Sequence, residues 1–368
     1  MHIEVEKEQL LRYLEYVSRV STKHQTLPVL QCVLITAQKG ESTASLRATN
    51  LELGIEARMP AQVTDSGVCA VPAALLSQTV ALLYEKKVSL RMEGDVLEVV
   101  SGKSHTTIKT FPHEEFPSIP VCSGKEQIIN SGLFALGIKT AAFATAQSSI
   151  KPELGSVLVH QQKEYTLTFV ATDAFRLVEK TVPQKSVVLD GSVLVPQRNA
   201  LELARICELA GEDPILTVSE NQLALTFTNG VYVTSRLTEA SFPDYQQIIP
   251  KEFSTTATLL RGDFMHALKK TNLFTNAYLQ VRVHVDPKKN ILTFTSDNGE
   301  RGKTEESVAA HIDGEDLQLS FNQRYLMDPL TSFVDDSLIL RFAGVGRPMV
   351  MEGSTERSLR YLVMPMNR

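Results

Sequence analysis

No tryptophan occurs in this 368-residue chain, and its four cysteines (Cys32, Cys69, Cys122 and Cys207) never form a CxxC pair. Scattered single thiols exclude a disulfide framework or thiolate metal site and read as small buried hydrophobes. None of the eight histidines falls in a zinc-ligand spacing such as HExxH, so no metal or cofactor is expected. No apolar run approaches the roughly 18 residues of a membrane span. The opening MHIEVEKEQL lacks the basic-then-apolar order of a signal peptide, so a cytoplasmic chain with no membrane partner is expected. A net charge of −5 also lacks the basic excess that usually announces a nucleic-acid-binding domain.

Catalytic signatures are equally thin. Gly102-Lys103-Ser104 ends like a phosphate-binding loop, but Leu97 stands where its first glycine belongs, and Thr106-Thr107-Ile108 continues a strand, not a helix. Gly344-Val345-Gly346 reads as a turn. Ser148-Ser149-Ile150-Lys151 and Ser296-Asp297-Asn298 fit the SxxK and SDN elements of serine β-lactamases in order. Pro152 interrupts the helix that SxxK must open, and Lys303-Thr304-Glu305 lacks the glycine of KTG. No catalytic residue is assigned; an enzyme with an unrecognised site is the alternative of a different class.

What the chain does contain is repetition. SLRATNLELGIEAR from Ser45, TLTFVATDAFRLVEK from Thr166 and ILTFTSDNGERGKTEE from Ile291 each run an alternating strand into a polar turn and out into a second strand. The turns fall at Asn50, Asp173 and Asp297, a period of about 124 residues, far beyond the roughly 20–50 of a solenoid unit. Each is followed by a strand breaking into a helix (from Gly67, Gly191 and Glu315, with Pro72 and Pro196 at the first two helix starts) and then by a second alternating run from Asp95, Asn221 and Asp336. An amphipathic helix opens each copy, marked by Leu10, Leu11, Leu14 and Val17, by Leu133, Leu136, Thr140 and Phe143, and by Phe264, Ala267, Leu268 and Thr271. Closely spaced strands joined by short turns predict antiparallel sheet and an α+β class. Proline-rich joins at Thr110–Pro120 and Ser241–Pro250 divide the chain into copies at 1–122, 123–250 and 251–368. Two arginine pairs, Arg12 with Arg19 and Arg198 with Arg205, are each seven residues apart on a helix face, with Glu15 and Glu202 between them.

VATDAFRLVEK (Val170–Lys180), FPDYQQIIP (Phe242–Pro250) and the terminal YLVMPMNR (Tyr361–Arg368) resemble the bacterial DNA polymerase III β subunit family, the sliding clamps, as do TLPVL (Thr26–Leu30) and VLVPQRNALEL (Val193–Leu203). The resemblance spans the chain and implies three tandem DNA-clamp domains. Two chains would close head to tail as a homodimeric six-domain ring, helices inside and antiparallel sheets outside, around duplex DNA. Such a ring slides without sequence preference and tethers polymerases for processive synthesis; a paralogue serving mainly DNA repair is the alternative. The implied channel residues are Arg12, Arg19, Lys23, His24, Lys139, Lys151, Arg198, Arg205, Lys269 and Lys270. The implied partners are the clamp loader, the DNA polymerase III α subunit, other DNA polymerases and repair proteins, which dock through short hydrophobic motifs of the type Gln-Leu-x-Leu-Phe. Their pocket would be formed by Leu154, Thr172, Ala174, Phe175, Arg176, Leu177, Pro243, Gln247, Ile248, Tyr278, Pro348, Leu362, Val363, Met364, Pro365 and Met366. Ala174-Phe175 stands where many members have Gly-His, and Gln247 where Arg is common, which favours apolar over acidic flanks in the peptide. The dimer contact would join Lys103, His105, Thr106 and Ile108 to Leu273, Phe274, Glu300, Glu305 and Glu306, with Ile108 against Leu273 as its apolar centre.

Overall fold

The computed structural model describes residues 1–21, 26–148 and 150–366. Every strand pairing among them is antiparallel, in three sheets. Among the described residues the α-helices are α1 (Lys7–Ser18), α2 (Ala73–Ala81), α3 (Ser131–Ala142), α4 (Gln197–Ala210), α5 (Arg261–Asn272) and α6 (Gln323–Met327), two for each copy. None is long and apolar enough to cross a membrane.

The chain forms two compact units, residues 1–135 with 202–237 and residues 136–201 with 238–368, so each unit joins a terminal copy to half of the central one. In the first unit, a five-stranded sheet runs in the order Gln62–Asp65, His2–Glu6, Lys87–Glu93, Val96–Ser101, Ser104–Lys109. Beside it, an eight-stranded sheet runs Glu126–Ile128, Ile215–Val218, Gln222–Thr226, Val231–Arg236, Leu53–Pro60, Thr43–Thr49, Cys32–Ala37, Gly67–Pro72. The first and second copies therefore share one sheet, through the register Val231↔Ala57 to Ser235↔Leu53.

The second unit repeats this join. Its twelve-stranded sheet runs Ser192–Pro196, Ser156–His160, Thr166–Thr172, Arg176–Pro183, Leu359–Val363, Met349–Gly353, Ser337–Phe342, Thr255–Leu260, Gly302–Gly314, Ile291–Asn298, Gln280–Asp286, Leu317–Asn322. Arg176↔Val363 to Lys180↔Leu359 joins the second copy to the third. In both joins the strand that leaves the polar turn pairs with the last strand of the following copy. Two edges of the same kind have no strand partner among the described residues. One is Ser104–Lys109, which ends its sheet; the other is the 302–309 part of Gly302–Gly314, whose 310–314 part pairs with Thr255–Leu260.

The sequence reads some of these elements better than others. The buried face of α5 is Phe264, Ala267, Leu268 and Thr271, as its periodicity predicts. In α3 the expectation holds for Thr140 but not for Leu136, which is exposed; the buried side is Phe134, Ala135, Ile138, Thr140, Ala141 and Ala142. Gly137 explains the shift, because a Cβ there would lie 2.3 Å from the Phe169 ring; the helix sits on the sheet through its small residues. Gly102-Lys103 is a tight hairpin connection closed by Ser101↔Ser104, not a phosphate loop. The third polar turn also moves: Asn298, one residue beyond the predicted Asp297, accepts from the backbone amides of Glu300 and Arg301. Cys32, Cys69 and Cys207 are buried, and burial pushes each thiol up to about 12, which keeps them protonated.

Candidate peptide cleft and basic helix faces

The turn at 172–177 is built by its own side chains. Thr172 Oγ1 donates to the Arg176 carbonyl at 2.7 Å and accepts from the Ala174 amide at 3.1 Å. Asp173 Oδ1 accepts from the amides of Phe175 and Arg176, both at 3.0 Å. The turn needs a left-handed residue, and Ala174 takes it at φ 75°. The first copy repeats the arrangement: Thr49 bonds the Leu53 carbonyl, Asn50 Oδ1 accepts from Glu52 and Leu53, and Leu51 has φ 76°.

Arg176 leaves this turn inward. Its guanidinium donates to Asp173 Oδ2 at 2.9 Å, Asp328 Oδ2 at 2.6 Å and the Phe143 carbonyl at 2.8 Å, and lies 4.5 Å from the Tyr325 ring centre. A delocalised cation with a forked donor set can satisfy all of these at once, which an ammonium could not. Arg176 thus binds the second copy to the third rather than offering a charge to a ligand. Sequence reasoning missed Asp328, Tyr325 and Phe143, since only the fold brings them to Arg176.

Around this post, Leu177 and Leu362 pair across the sheet and join Leu158, Val170, Leu194, Tyr245 and Val350 in one apolar cluster, with Phe242, Ile249, Phe253 and Met364 packed against it. Leu177, Leu362, Val363, Thr172 and Arg176 are buried, so they form floor and frame, and Val363 offers no side-chain surface to a peptide. The accessible rim is Phe175 (61% exposed), Pro243, Gln247 and Ile248, with half-buried Pro348, Met364, Pro365 and Met366 beside it. Gln247 is held by a 2.7 Å bond to Asp244. Backbone bonds from Met364 to the Phe175 carbonyl and from Met366 to the Ser320 carbonyl extend the terminal strand past Val363. Leu154 is buried and Tyr278 exposed on other loops of this unit, and neither belongs to the cluster.

The proline-rich segment from Ser241 is pinned by Tyr245, in a short 3₁₀ turn (Tyr245–Ile248). Its hydroxyl donates to Glu179 Oε2 at 2.8 Å and lies 3.2 Å from His160 Nε2, while Arg360 bridges Glu179 and Glu352. Burial lowers the His160 pKa, opposed by the nearby Glu179 carboxylate.

The cationic residues sort differently. Arg12 and Arg19 on α1, Lys139 on α3, Arg198 on α4, Lys269 and Lys270 on α5 and Lys151 in the following loop of the second copy are all exposed. Lys270 pairs with Glu306 at 3.0 Å, which ties a residue expected in the channel to one expected at the dimer contact. Lys23 and His24 lie outside the described residues, as does Ser149 of the SxxK string. Arg205 is a correction: its side chain is turned in, ion-paired to Glu202, and donates to the Tyr16 carbonyl at 3.1 Å. It fastens α4 to the end of α1 instead of facing DNA. Ile108 is a second correction, since it is buried in its own domain and cannot be the apolar centre of a dimer contact. Lys103, His105, Leu273, Glu300 and Glu305 are exposed, and Thr106, Phe274 and Glu306 half-buried.

Three family profiles tile the chain: the DNA polymerase III beta subunit N-terminal domain over residues 1–120, its central domain over 128–244 and its C-terminal domain over 246–367. The chain belongs to the DNA polymerase III beta subunit family. Among its relatives, the beta sliding clamp of Synechococcus elongatus is 29% identical, with 100% of this chain and 99% of the relative covered. That of Escherichia coli K12 is 27% identical with both chains fully covered. A crystal structure of the Pseudomonas aeruginosa DNA polymerase sliding clamp, 26% identical, superposes with a TM-score of 0.92 over all of both chains. Another, of the clamp bound to griselimycin, gives 0.91 at 27% identity, again over all of both chains.

Two expectations follow from this geometry. Replacing Arg176 by alanine leaves Asp173 and Asp328 without their shared cation, and loss of one member of a buried pair costs about 3–5 kcal/mol; chemical denaturation of R176A against the parent measures it. For His160, a folded pKa below the ordinary value of about 6.5 means that the unfolded chain binds the extra proton first. The stability from neutral His160 is complete above that pH and is lost as pH falls below it. H160Q should flatten the drop in melting temperature between about pH 7 and pH 5.

Proposed function

We propose that this chain is a processivity clamp, not an enzyme: a protein that encircles duplex DNA in the cytoplasm and tethers the replicative polymerase. The observation that carries this is the repeated sheet join. One rule of pairing serves both junctions within the chain and leaves one matching edge at each end of the series. Unpaired edges invite a partner strand. A head-to-tail contact whose rotation closes makes a ring. A second chain satisfies both edges at once, which gives three clamp domains at 1–122, 123–250 and 251–368 from each chain.

The repeat also supplies the apolar centre that Ile108 cannot. At the internal join α4 meets α1 of the preceding copy through Arg205 and Tyr16, and Ile206 there is fully buried. Leu82 holds the equivalent place after α2, and it is 80% exposed, with Leu75 also open. The same rule sets Leu75 and Leu82 against the partner chain's α5 end, where Leu273 and Phe274 stand. Lys103, His105, Glu300 and Glu305 then set the register of a contact that packing stabilises.

Sliding demands weak, sequence-blind attraction to phosphates, and Arg12, Arg19, Arg198 and Lys269 suit it: exposed cations on helices, without ion pairs among the described residues. Retention comes from closure. The clamp loader, DNA polymerase III α subunit, other polymerases and repair proteins dock at the rim of Phe175, Pro243, Ile248 and Met364, a methionine-bearing surface that adapts to several sequences. A repair-specialised paralogue is the second reading; Ala174, Phe175 and Gln247 bear on which peptide the rim prefers.

After loading, the protein should stay on nicked circular DNA and leave when the circle is linearised; equal retention on both forms, or on neither, contradicts a ring. Arg198→Glu should weaken DNA association and leave stability within about 0.5 kcal/mol, as for exposed positions generally. Arg205→Glu should instead unfold more easily, read by melting temperature. A labelled Gln-Leu-x-Leu-Phe peptide should bind with micromolar affinity, and deletion from Met364 onward should abolish that binding while the dimer persists; unchanged affinity misplaces the cleft.

A further inference from the structure

The joins between copies are equivalent, yet only the second carries the cleft described above. At the first join, in the first unit, the structure holds a cavity of about 310 Å³, lined chiefly by Leu51, Gly54, Pro117, Gln222, Thr234 and Arg236. Its parts answer to those of the cleft one by one. The turn 49–54 matches 172–177, with the same bonding and a left-handed residue at the same place, Leu51 in one and Ala174 in the other. The prolines at 117 and 120 match the proline-rich segment from Ser241. The amide of Arg236 donates to the Glu52 carbonyl at 2.8 Å, as that of Met364 donates to Phe175 at 2.8 Å.

The backbone is repeated, but the lining is exchanged. Cross-strand register places Gly54 where the cleft has Leu177, Thr234 where it has Leu362, and Arg236 where it has Met364. The floor thus exchanges Leu177 and Leu362 for Gly54, over which the Ile119 side chain packs, and the buried hydroxyl of Thr234, while the methionine rim becomes a guanidinium rim. Thr234 is 3% exposed, and its Oγ1 has no hydrogen-bond partner among the described residues. A buried hydroxyl without a partner is unusual, and a ligand group at the cavity floor would supply one. Arg236 is exposed and makes no ion pair among the described residues, while Gln222 adds an amide beside it. Glu52 also lines the cavity, next to Arg236, whose amide it accepts through its carbonyl. The volume lies at the lower end of ligand pockets and suits two or three side chains of an extended segment.

We propose that this cavity is a second docking site, which takes a short extended peptide carrying carboxylate side chains, the acidic counterpart of the apolar motif taken by the cleft. The site rests on the internal repeat, and on the clamp reading only through the cleft with which it is compared. A planar guanidinium pairs with carboxylates in a forked geometry, so Arg236 gives selectivity for an aspartate or glutamate over its amide. One chain would then carry two sites of opposite preference on equivalent backbones.

The test uses the full-length protein and fluorescence polarisation with a fluorescein-labelled Gly-Asp-Leu-Asp-Gly peptide. Saturable binding is expected below millimolar concentration, with at least a tenfold loss when both aspartates of the peptide become asparagine. Arg236→Ala should cause a similar loss, and Arg236→Lys should retain part of the affinity; circular dichroism checks that both remain folded. An excess of unlabelled Gln-Leu-x-Leu-Phe peptide should not displace the probe. Absence of saturable binding, equal binding of the asparagine peptide, an unchanged R236A, or displacement by the apolar peptide would overturn the proposal. Binding of the apolar peptide to the cleft, measured separately, reports on the clamp reading whichever way this result falls.

Discussion

Everything in this chain depends on antiparallel strand pairing that crosses from one copy to the next. A sheet that ended at each copy boundary would expose two rows of unpaired amides and carbonyls per copy. Here the strand leaving each polar turn is covered by the last strand of the following copy, so Leu53–Pro60 and Arg176–Pro183 lie inside their sheets. The compact units consequently ignore the copy boundaries and fall inside α3 and α4. Within each unit the copies are joined through sheet hydrogen bonds and not by a flexible tether.

The two joins are locked by different chemistry, which sets their different surfaces. At the second, Arg176 gathers two carboxylates, a carbonyl and two aromatic rings, and the surrounding frame is apolar. At the first, Leu53 takes the equivalent place, while Arg205, Glu202, Tyr16 and Asn229 make the polar fastening from the helix side. Each join thus keeps one inward-turned arginine with its partners, buried at Arg176 and partly exposed at Arg205, and the turn beside it is left to differ.

The repeat and the α+β class were legible in the sequence, because they rest on periodicity. The polar turns were legible to within one residue: Asn298 displaces Asp297 because the third hairpin closes at Asn298↔Gly302, while the second closes at Thr172↔Leu177. The orientation of individual charges was not legible. Arg198 and Arg205 share a helix face by spacing, yet the approach of Tyr16 turns the second inward, and only tertiary structure supplies that carbonyl. The α3 stripe misled for a related reason: its contact face is made by Gly137 and alanines, which carry little weight in a pattern of large apolar residues. Ile108 looked like an interface residue because its strand is an edge, but strand alternation points it at its own core.

The central claim is that the join seen twice within the chain forms a third time between chains, and its register can be stated in advance. Carrying the internal pairing over sets Ser104 opposite Glu306, His105 opposite Glu305 and Thr106 opposite Thr304 of the second copy of this chain. The direct test is intermolecular disulfide formation in a Cys122→Ser background carrying Thr106→Cys and Thr304→Cys. Mild oxidation should convert the protein to a covalently closed dimer that remains on circular DNA, whereas Thr106→Cys with Ser307→Cys, three positions out of register, should cross-link far less. A protein that stays monomeric on oxidation, or that cross-links equally in both pairings, would contradict the account.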